Sequence, residues 1–321
     1  MELELLKQLY RIYSPSRGEK KMRKFIKDWI RKNVPDATYE VDNLGNLYVR
    51  RGESETYPTI VAHMDQVQKT HSRDFQVVET NEILFGFSLC NVEMQGLGAD
   101  DKNGIWIALK CLQKYPVMKC AFFVGEEIGC VGSEGCDMSF FDDSRYVLQC
   151  DRRGGHDLIW NIGGWTQLCS PEFLDAIGYQ DFGYKKELGM MTDVEALKNR
   201  GLKVSVCNLS CGYGKPHSDE EFTKKSELLN CLAFVEHIVE TCLEIYPHED
   251  TDLGYYGGYG KGYYGTDYDT DYDELSEFII DFLYQYPDAT LEDVQYEFGG
   301  RGGYDSDLIQ MTYEDVKSLY F

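Results

Sequence analysis

The 321-residue sequence has few basic residues relative to its acidic ones, and this shortage excludes several classes of partner. It contains 32 lysines and arginines against 55 aspartates and glutamates, which gives a formal net charge of −23 at pH 7. Such a chain repels the phosphates of nucleic acids and the headgroups of anionic membranes. We therefore expect neither nucleic acid nor a membrane as a partner, whereas cationic ligands and metal ions are compatible with this charge.

Long apolar runs and closely paired cysteines are also missing. No run of about 18 apolar residues occurs, so the sequence predicts no membrane-spanning helix. The 11 cysteines are an odd number without a CxxC pair, which argues against a disulfide framework and a thiolate zinc site. The opening MELELLKQLYRIY does not show the basic stretch and apolar block of a secretory signal. We therefore expect a cytoplasmic protein with reduced, mostly buried thiols.

The apolar pattern up to about residue 247 alternates between strands and helices. Short runs such as TIVAHMD and KCAFFVGEE predict buried strands, whereas NGIWIALKCLQKY and residues 226–246 predict amphipathic helices. Alternation of this kind is typical of an α/β sheet covered on both faces. The predicted fold is a three-layer αβα sandwich around a mostly parallel mixed sheet, with a small helical C-terminal segment.

The composition changes after Pro247, where a low-complexity tract of glycine, tyrosine and aspartate begins. A tract without a periodicity that could bury one face is typical of a linker. Helical spacing and capping signals return in DATLED and MTYED. We therefore predict a main domain over 1–247, a linker over 248–272 and a small helical appendage over 273–321.

Acidic residues occur where predicted strands end and predicted helices begin. Asp100–Asp101, Glu126–Glu127 and Asp151 each occupy such a position. In open α/β sheets, this is the edge at which functional sites are built. Adjacent buried carboxylates repel each other unless a cation compensates them. These positions therefore predict a site that needs additional positive charge.

Two of the six histidines lie in segments that would place them beside these acids. His63 ends a predicted strand two residues before Asp65, so the two side chains share a face, and the carboxylate can orient the imidazole. His217 lies in the loop GKPHSDEE. Imidazole and carboxylate together suit zinc, and two zinc ions about 3.5–4 Å apart, bridged by one carboxylate, would use this number of acids. The sequence therefore predicts a two-zinc site.

Five segments of the sequence resemble a known family. TIVAHMDQV, GLGADDKNGIWIAL, FFVGEEIGCVGSEG, VLQCD and PHSDEE follow the order seen in the di-zinc exopeptidase superfamily. That superfamily includes leucyl-type and glutamyl aminopeptidases and peptidase T-like zinc metallopeptidases. The resemblance covers about residues 1–245 and implies that the main domain is a di-zinc peptidase-like catalytic domain. Many relatives carry a lid or an inserted domain, for which the intervals 65–100 and 151–217 leave no room.

The resemblance implies a role for each acidic and imidazole group of these segments. Asp100 would bridge two zinc ions, and the Asp100–Asp101 peptide would be cis. Glu126 would act as the general base, and Asp65 would orient a histidine ligand. The resemblance implies five metal ligands, three carboxylates and two histidines: His63, Asp100, Glu127, Asp151 and His217.

The resemblance implies a zinc-dependent metallopeptidase that hydrolyses the N-terminal residue of short peptides through a metal-activated water, with two zinc ions per chain. Two alternatives stay open: a di-zinc N-acyl amino acid deacylase or other amidohydrolase, and a non-catalytic structural or assembly protein that keeps the fold. A homo-oligomer also stays open. Without a lid, the oxyanion donor would be a tyrosine or a backbone N–H near the metals, for which CGYGKPH offers Tyr213 and Lys215. Acids such as Asp101 or those of HSDEE would meet a substrate ammonium.

Overall fold

The computed structural model describes residues 3–164 and 166–249, and then residues 275, 279–280, 282–283, 286, 289–301 and 306–320. The chain divides into two compact units, Met1–Asp250 and Thr251–Phe321. The predicted boundaries at 247 and 272 stay predictions, because most of the linker expected over 248–272 lies outside the described residues. No helix in the described part of the chain is long and apolar enough to span a bilayer.

A nine-stranded mixed sheet forms the centre of the first unit. Its four central strands, in the order β7-β3-β8-β12, run parallel. Strands β1 and β2 join one side and strands β9 and β10 the other by antiparallel pairing, and β11 pairs parallel with β9. The strands of this sheet are β1 (Ala37–Val41), β2 (Leu47–Arg51), β3 (Tyr57–His63), β7 (Met118–Phe123), β8 (Ser144–Arg152), β9 (Asp157–Ile162), β10 (Thr166–Gln167), β11 (Lys185–Gly189) and β12 (Val206–Ser210).

A second, five-stranded sheet has the order β13-β14-β5-β4, with β6 paired to β5. Three of its strands occupy the interval between Asp65 and Asp100, and the other two flank the loop that carries His217. The segment FQVVETNEILFGF forms the antiparallel hairpin of β4 and β5, and β5 also pairs with β14, which follows the His217 loop. The strands of this sheet are β4 (Phe75–Glu79), β5 (Ile83–Ser88), β6 (Glu93–Met94), β13 (Tyr213–Gly214) and β14 (Phe222–Lys224).

Helices cover both faces of the central sheet, which confirms the predicted three-layer α/β fold. On β3, Ile60 and Ala62 belong to one buried apolar cluster and Val61 to another, as the two-residue repeat of a strand requires. The first cluster includes residues of α1, α2, α3 and α7, and the second includes residues of α6. The helices of this unit are α1 (Glu4–Tyr10), α2 (Lys20–Asn33), α3 (Ala99–Lys114), α4 (Val131–Glu134), α5 (Pro171–Ile177), α6 (Asp193–Asn199) and α7 (Lys225–Thr241).

The end of the long helix was predicted wrongly. Helix α7 ends at Thr241, not at 246, because the residues that follow pair with other backbone. The Tyr246 carbonyl accepts a hydrogen bond from the Ser205 amide, and the Tyr246 amide donates to the Arg145 carbonyl. The Tyr246 ring also packs on Phe173, with 5.1 Å between ring centroids. Tertiary pairing therefore overrides a helical pattern that continues in the sequence.

The second unit contains described helices near its end. A capping box opens α8 (Leu291–Val294): the Thr290 hydroxyl accepts from the Asp293 amide, and the Asp293 carboxylate accepts from the Thr290 amide. A π-helical turn (Gln295–Arg301) and α9 (Ser306–Tyr320) follow. These helices agree with the small helical C-terminal segment that the capping signals predicted.

Candidate metal centre

Three parallel strands bring their carboxyl ends, and the residues that follow them, to one edge of the sheet. His63 is the last residue of β3, and Asp151 lies one residue before the end of β8. Glu126 and Glu127 form a turn just after β7, the other neighbour of β3. Because neighbouring parallel strands end at the same edge, these side chains meet there.

The five predicted metal ligands lie together in two groups that share Asp100. One group is His63, Asp100 and Asp151, and the other is Asp100, Glu127 and His217. Within each group, the ligand atoms lie within 4.8 Å of one another, and the groups are ones that could hold a metal ion.

The two carboxylate oxygens of Asp100 face different imidazoles. Asp100 Oδ1 lies 3.0 Å from His63 Nε2, and Asp100 Oδ2 lies 3.3 Å from His217 Nε2. His63 Nε2 is also 3.6 Å from Asp151 Oδ1, and His217 Nε2 is 3.2 Å from Glu127 Oε2. Asp100 therefore lies where a carboxylate bridging two cations would have to lie.

At the start of α3, the side chains of the adjacent residues Asp100 and Asp101 make different contacts. The Asp100–Asp101 peptide is cis, as predicted. The Asp101 carboxylate accepts hydrogen bonds from the backbone amides of Gly104 and His63. Asp101 is fully buried, so its carboxylate holds the end of β3 against α3. The expectation that Asp101 meets a substrate ammonium is not supported by this placement.

Asp65 holds both His63 and the glutamate turn. One of its oxygens lies 3.4 Å from His63 Nδ1, a long contact, on the side of the ring opposite Asp100. The same carboxylate accepts from the amides of Glu126 and Glu127 and from the Ser16 hydroxyl. Asp65 therefore anchors the turn that carries both glutamates, whereas it lies beside His63 Nδ1 without a hydrogen bond, so its orienting role stays a prediction.

The side chains of Glu126 and Glu127 diverge, although the two residues are adjacent. They follow the end of β7 and lie in a 3₁₀ turn (Glu126–Ile128) entered through Gly125 at φ 63°. Glu126 Oε2 lies 3.9 Å from His63 Nε2, whereas Glu127 Oε2 lies beside His217. The other oxygen of Glu127 is buried and has no hydrogen-bond partner among the residues that the structure describes. The turn thus places Glu126 near His63 and Glu127 beside His217.

The site holds more negative charge than its two imidazoles compensate. Burial, and then the charge of Asp151, raises the pKa of Glu126, and burial followed by the charge of Asp100 raises the pKa of Asp151. Burial alone would lower the pKa of His217, but Glu127 and Asp100 raise it to about 12. A buried set of nitrogen and oxygen donors with excess negative charge and an unpartnered Glu127 oxygen fits divalent cations such as zinc.

Two supporting residues were missed by the sequence analysis. The buried Glu221 carboxylate accepts from the backbone amides of Ala99 (3.0 Å) and Asp100 (3.4 Å), so it ties the loop of His217 to the loop of Asp100. Gln149 donates to Asp151 Oδ2 over 3.0 Å. A signal for Gln149 was present, since residues two apart on a strand share a face. For Glu221, the only signal was its place in HSDEE.

The two residues suggested as oxyanion donors lie in different surroundings. The buried Tyr213 hydroxyl is 3.4 Å from Asp151 Oδ1, at the edge of the candidate centre. Lys215 forms an exposed ion pair with Glu220. The placement of Tyr213 suits a donor near the reacting atoms, and that of Lys215 gives it no such support.

We predict that His217→Ala will lose most of one zinc equivalent. The substitution removes the imidazole that contacts Asp100 and Glu127 and leaves the other ligand group intact. Elemental analysis after dialysis against limiting zinc measures the loss. His156→Ala is the matched control, because that exposed imidazole contacts the Gly183 carbonyl. Two full equivalents in His217→Ala would remove His217 from the centre.

Solved structures similar to this chain include peptidases. Aminopeptidase PepT from Bacillus cereus aligns with a TM-score of 0.61 and 14% identity over 76% of this chain and 99% of that chain. A tripeptidase from Staphylococcus aureus gives a TM-score of 0.59 and 14% identity over 75% and 98%. The TET1 peptidase of Pyrococcus horikoshii, described as assembling into a tetrahedron or a large octahedral shell, gives 0.52 and 16% over 74% and 99%.

The comparison of sequences is more local. No protein-family model matches the chain. A curated protein from Pyrobaculum aerophilum, named as a LysW-lysine/LysW-ornithine hydrolase, is 38% identical over 64 residues, which are 20% of this chain and 18% of that protein. The chain thus matches less than a fifth of that relative's length. The structural likenesses show that the resemblance in sequence extends to the fold, which is that of the peptidases.

Proposed function

We propose that this chain, which has the peptidase fold of the zinc exopeptidase superfamily, is a di-zinc aminopeptidase that removes the first residue of short peptides. The observation that carries the proposal is the placement of Asp100 between two imidazoles, with each oxygen facing one of them. A site for a single metal ion would not need a carboxylate that belongs to two ligand groups. Glu126 beside the shared centre completes a hydrolytic arrangement.

The five residues that meet at the centre would hold two zinc ions. When bound, zinc activates a water molecule and polarises the carbonyl of the bond to be cleaved. Asp100 would contact both ions, which explains why its two oxygens diverge towards different groups. The metal ligands in this proposal are His63, Asp100, Glu127, Asp151 and His217.

Glu126 would take the proton that leaves the attacking water and pass it to the departing amine. Its side chain is buried, lies 3.9 Å from His63 and occupies a different position from the ligand Glu127. Burial raises the pKa of Glu126, a direction that suits a carboxyl group that accepts a proton and then returns it. Asp65 would keep this base in place through the Glu126 amide and would orient His63.

The negative charge of the chain supports the proposal that the residue removed is the N-terminal residue of the peptide substrate. The chain carries a formal charge of −23, and the centre gathers buried carboxylates, so a peptide ammonium is favoured over a peptide carboxylate. Tyr213, beside Asp151, would donate to the developing oxyanion. Glu221 is engaged by backbone amides, so it does not serve as the acceptor for that ammonium.

A second candidate function is hydrolysis of another amide, including N-acyl amino acids. The observation that favours it is the 64-residue similarity to the Pyrobaculum aerophilum protein, whose name is that of a hydrolase acting on amino acids linked to LysW. The same metal ligands and the same base would serve either reaction. The two functions differ in whether the substrate presents a free ammonium or an acylated nitrogen.

We predict that hydrolysis by the purified chain will depend on metal and will be directed to peptides with a free N-terminus. The chain is stripped with a chelator, titrated with zinc and tested on a dipeptide library and on a panel of N-acyl amino acids. Dipeptide hydrolysis should return as zinc approaches two equivalents. Hydrolysis confined to the N-acyl panel would favour the amidohydrolase, and inactivity on both panels with two zinc ions bound would contradict both candidates.

A further inference from the structure

Gln149 lies behind the metal centre, on the strand that carries Asp151. The side chain is fully buried, two residues before Asp151 on β8, so both residues face the same side of the sheet. Gln149 Nε2 donates to Asp151 Oδ2 over 3.0 Å. The other oxygen of that carboxylate lies 3.6 Å from His63 Nε2. Asp151 is thus held between Gln149 and the centre.

The hydrogen bonds at the other end of the amide fix its orientation. Gln149 Oε1 accepts from the backbone amide of Val194 (3.1 Å) and from the Thr192 hydroxyl (2.8 Å). A backbone N–H can only donate, so the oxygen of Gln149 must be the atom that faces Val194. The NH₂ group of Gln149 is therefore turned towards Asp151, and its role as a donor follows from the backbone.

The backbone of Asp151 is fixed from the neighbouring strand as well. Asn208 on β12 accepts from the Asp151 amide (2.8 Å) and donates to the Asp151 carbonyl (2.9 Å). Its NH₂ group also approaches the Thr192 hydroxyl (3.4 Å). The segment 192–194, Gln149 and Asn208 therefore form one buried hydrogen-bonded support around a single carboxylate.

We propose that Gln149 is a positioning residue that keeps the Asp151 carboxylate oriented towards a cation bound by His63 and Asp100. This inference rests on the proposed function, since it assigns Gln149 a task in that metal centre. A neutral NH₂ donor stabilises an ionised acceptor and fixes which oxygen is turned to the metal. Partners of this kind typically change metal affinity by about 10–100-fold when they are removed.

The role of Gln149 has two halves: its oxygen accepts hydrogen bonds from Val194 and Thr192, and its NH₂ group donates to Asp151. Substitution by glutamate separates them. Gln149→Glu keeps an acceptor oxygen for Val194 and Thr192, so the support around residues 192–194 can persist. It replaces the donor that faces Asp151 with a second carboxylate oxygen. We expect the zinc bound by the His63 group to be held about 10–100-fold more weakly. Gln149→Met, which removes both halves, should weaken it as well and should also lower the thermal stability of the metal-free chain.

The experiment measures zinc affinity by competition with a chromophoric chelator. Working in the His217→Ala background isolates the group of His63, Asp100 and Asp151, so one dissociation constant reports on it. Gln76→Glu, an exposed glutamine on β4, is the matched control for the added charge. Thermal unfolding of the metal-free proteins shows whether Gln149→Glu leaves the fold intact, a readout that does not depend on activity.

A weaker dissociation constant in Gln149→Glu, with an unchanged melting temperature and an unchanged Gln76→Glu control, is the expected result. Zinc affinity equal to or tighter than that of the His217→Ala parent would overturn the inference while leaving the aminopeptidase proposal in place. The unsubstituted chain, measured in the same series, separates the two claims: if it binds no zinc, the metal centre and the role of Gln149 are both wrong.

Discussion

Glu126→Gln will retain two zinc ions and lose about 10²–10⁴-fold in kcat, the contribution typical of a positioned general base. The amide keeps the shape of the side chain and cannot accept a proton. Glu126 lies 3.9 Å from His63 Nε2 and outside both ligand groups, so its neutralisation leaves those groups complete. Steady-state kinetics on a dipeptide, together with elemental analysis of the same preparation, measure both quantities.

The neighbouring glutamate provides the matched control. Glu127→Gln alters a side chain in contact with His217, so it should lower metal content as well as turnover. Comparison of the Glu126→Gln and Glu127→Gln variants separates the loss of proton transfer from the loss of metal binding. Full activity in Glu126→Gln would assign the base to another residue, and loss of zinc in that variant would make Glu126 a ligand.

Acetylating the N-terminus of a peptide substrate will abolish its hydrolysis, whereas amidating its C-terminus will be tolerated. Acetylation removes the ammonium that the acidic centre attracts, and amidation removes only a carboxylate that the same charge repels. The intervals 65–100 and 151–217 contain strands and helices of the first unit.

The test compares one tripeptide in four forms: free, acetylated, amidated and doubly blocked. Initial rates are measured with two zinc equivalents at fixed ionic strength, because long-range charge effects are screened by salt. Cleavage of the acetylated form with resistance of the amidated form would contradict the aminopeptidase proposal and favour a deacylase or a carboxypeptidase. Cleavage of the doubly blocked form would indicate an enzyme that reads neither terminus.

Much of the fold follows from local patterns. The apolar runs TIVAHMD and KCAFFVGEE form β3 and β7, two of the four central strands, because continuous apolar runs are what a sheet buried on both faces requires. Strands β9 and β11 were missed, since DLIWNI and KKELG carry polar residues that suit strands near the side of a sheet. The end of α7 was missed because pairing of residues 246–248 with 203–205 is long-range.

For the candidate site, the family resemblance identified residues, and the structure shows how they meet. The order of the motifs predicted five ligands and a base, and parallel pairing of β7, β3 and β8 brings four of these six residues to one edge of the sheet, namely His63, Glu126, Glu127 and Asp151. The divergence of Glu126 and Glu127 depends on a 3₁₀ turn held by Asp65. No strand alternation could have predicted it.

By itself, the sequence determined the α/β class, the excess of negative charge and the residue types of the centre, because composition and short periodicities are local properties. Only the tertiary structure decided that Asp101 is a buried support, that Glu221 ties the His217 loop to Asp100 and that Gln149 faces Asp151. Hydrogen bonds between residues distant in sequence depend on strand order and loop placement. Their partners therefore become identifiable only once the sheet has brought the segments together.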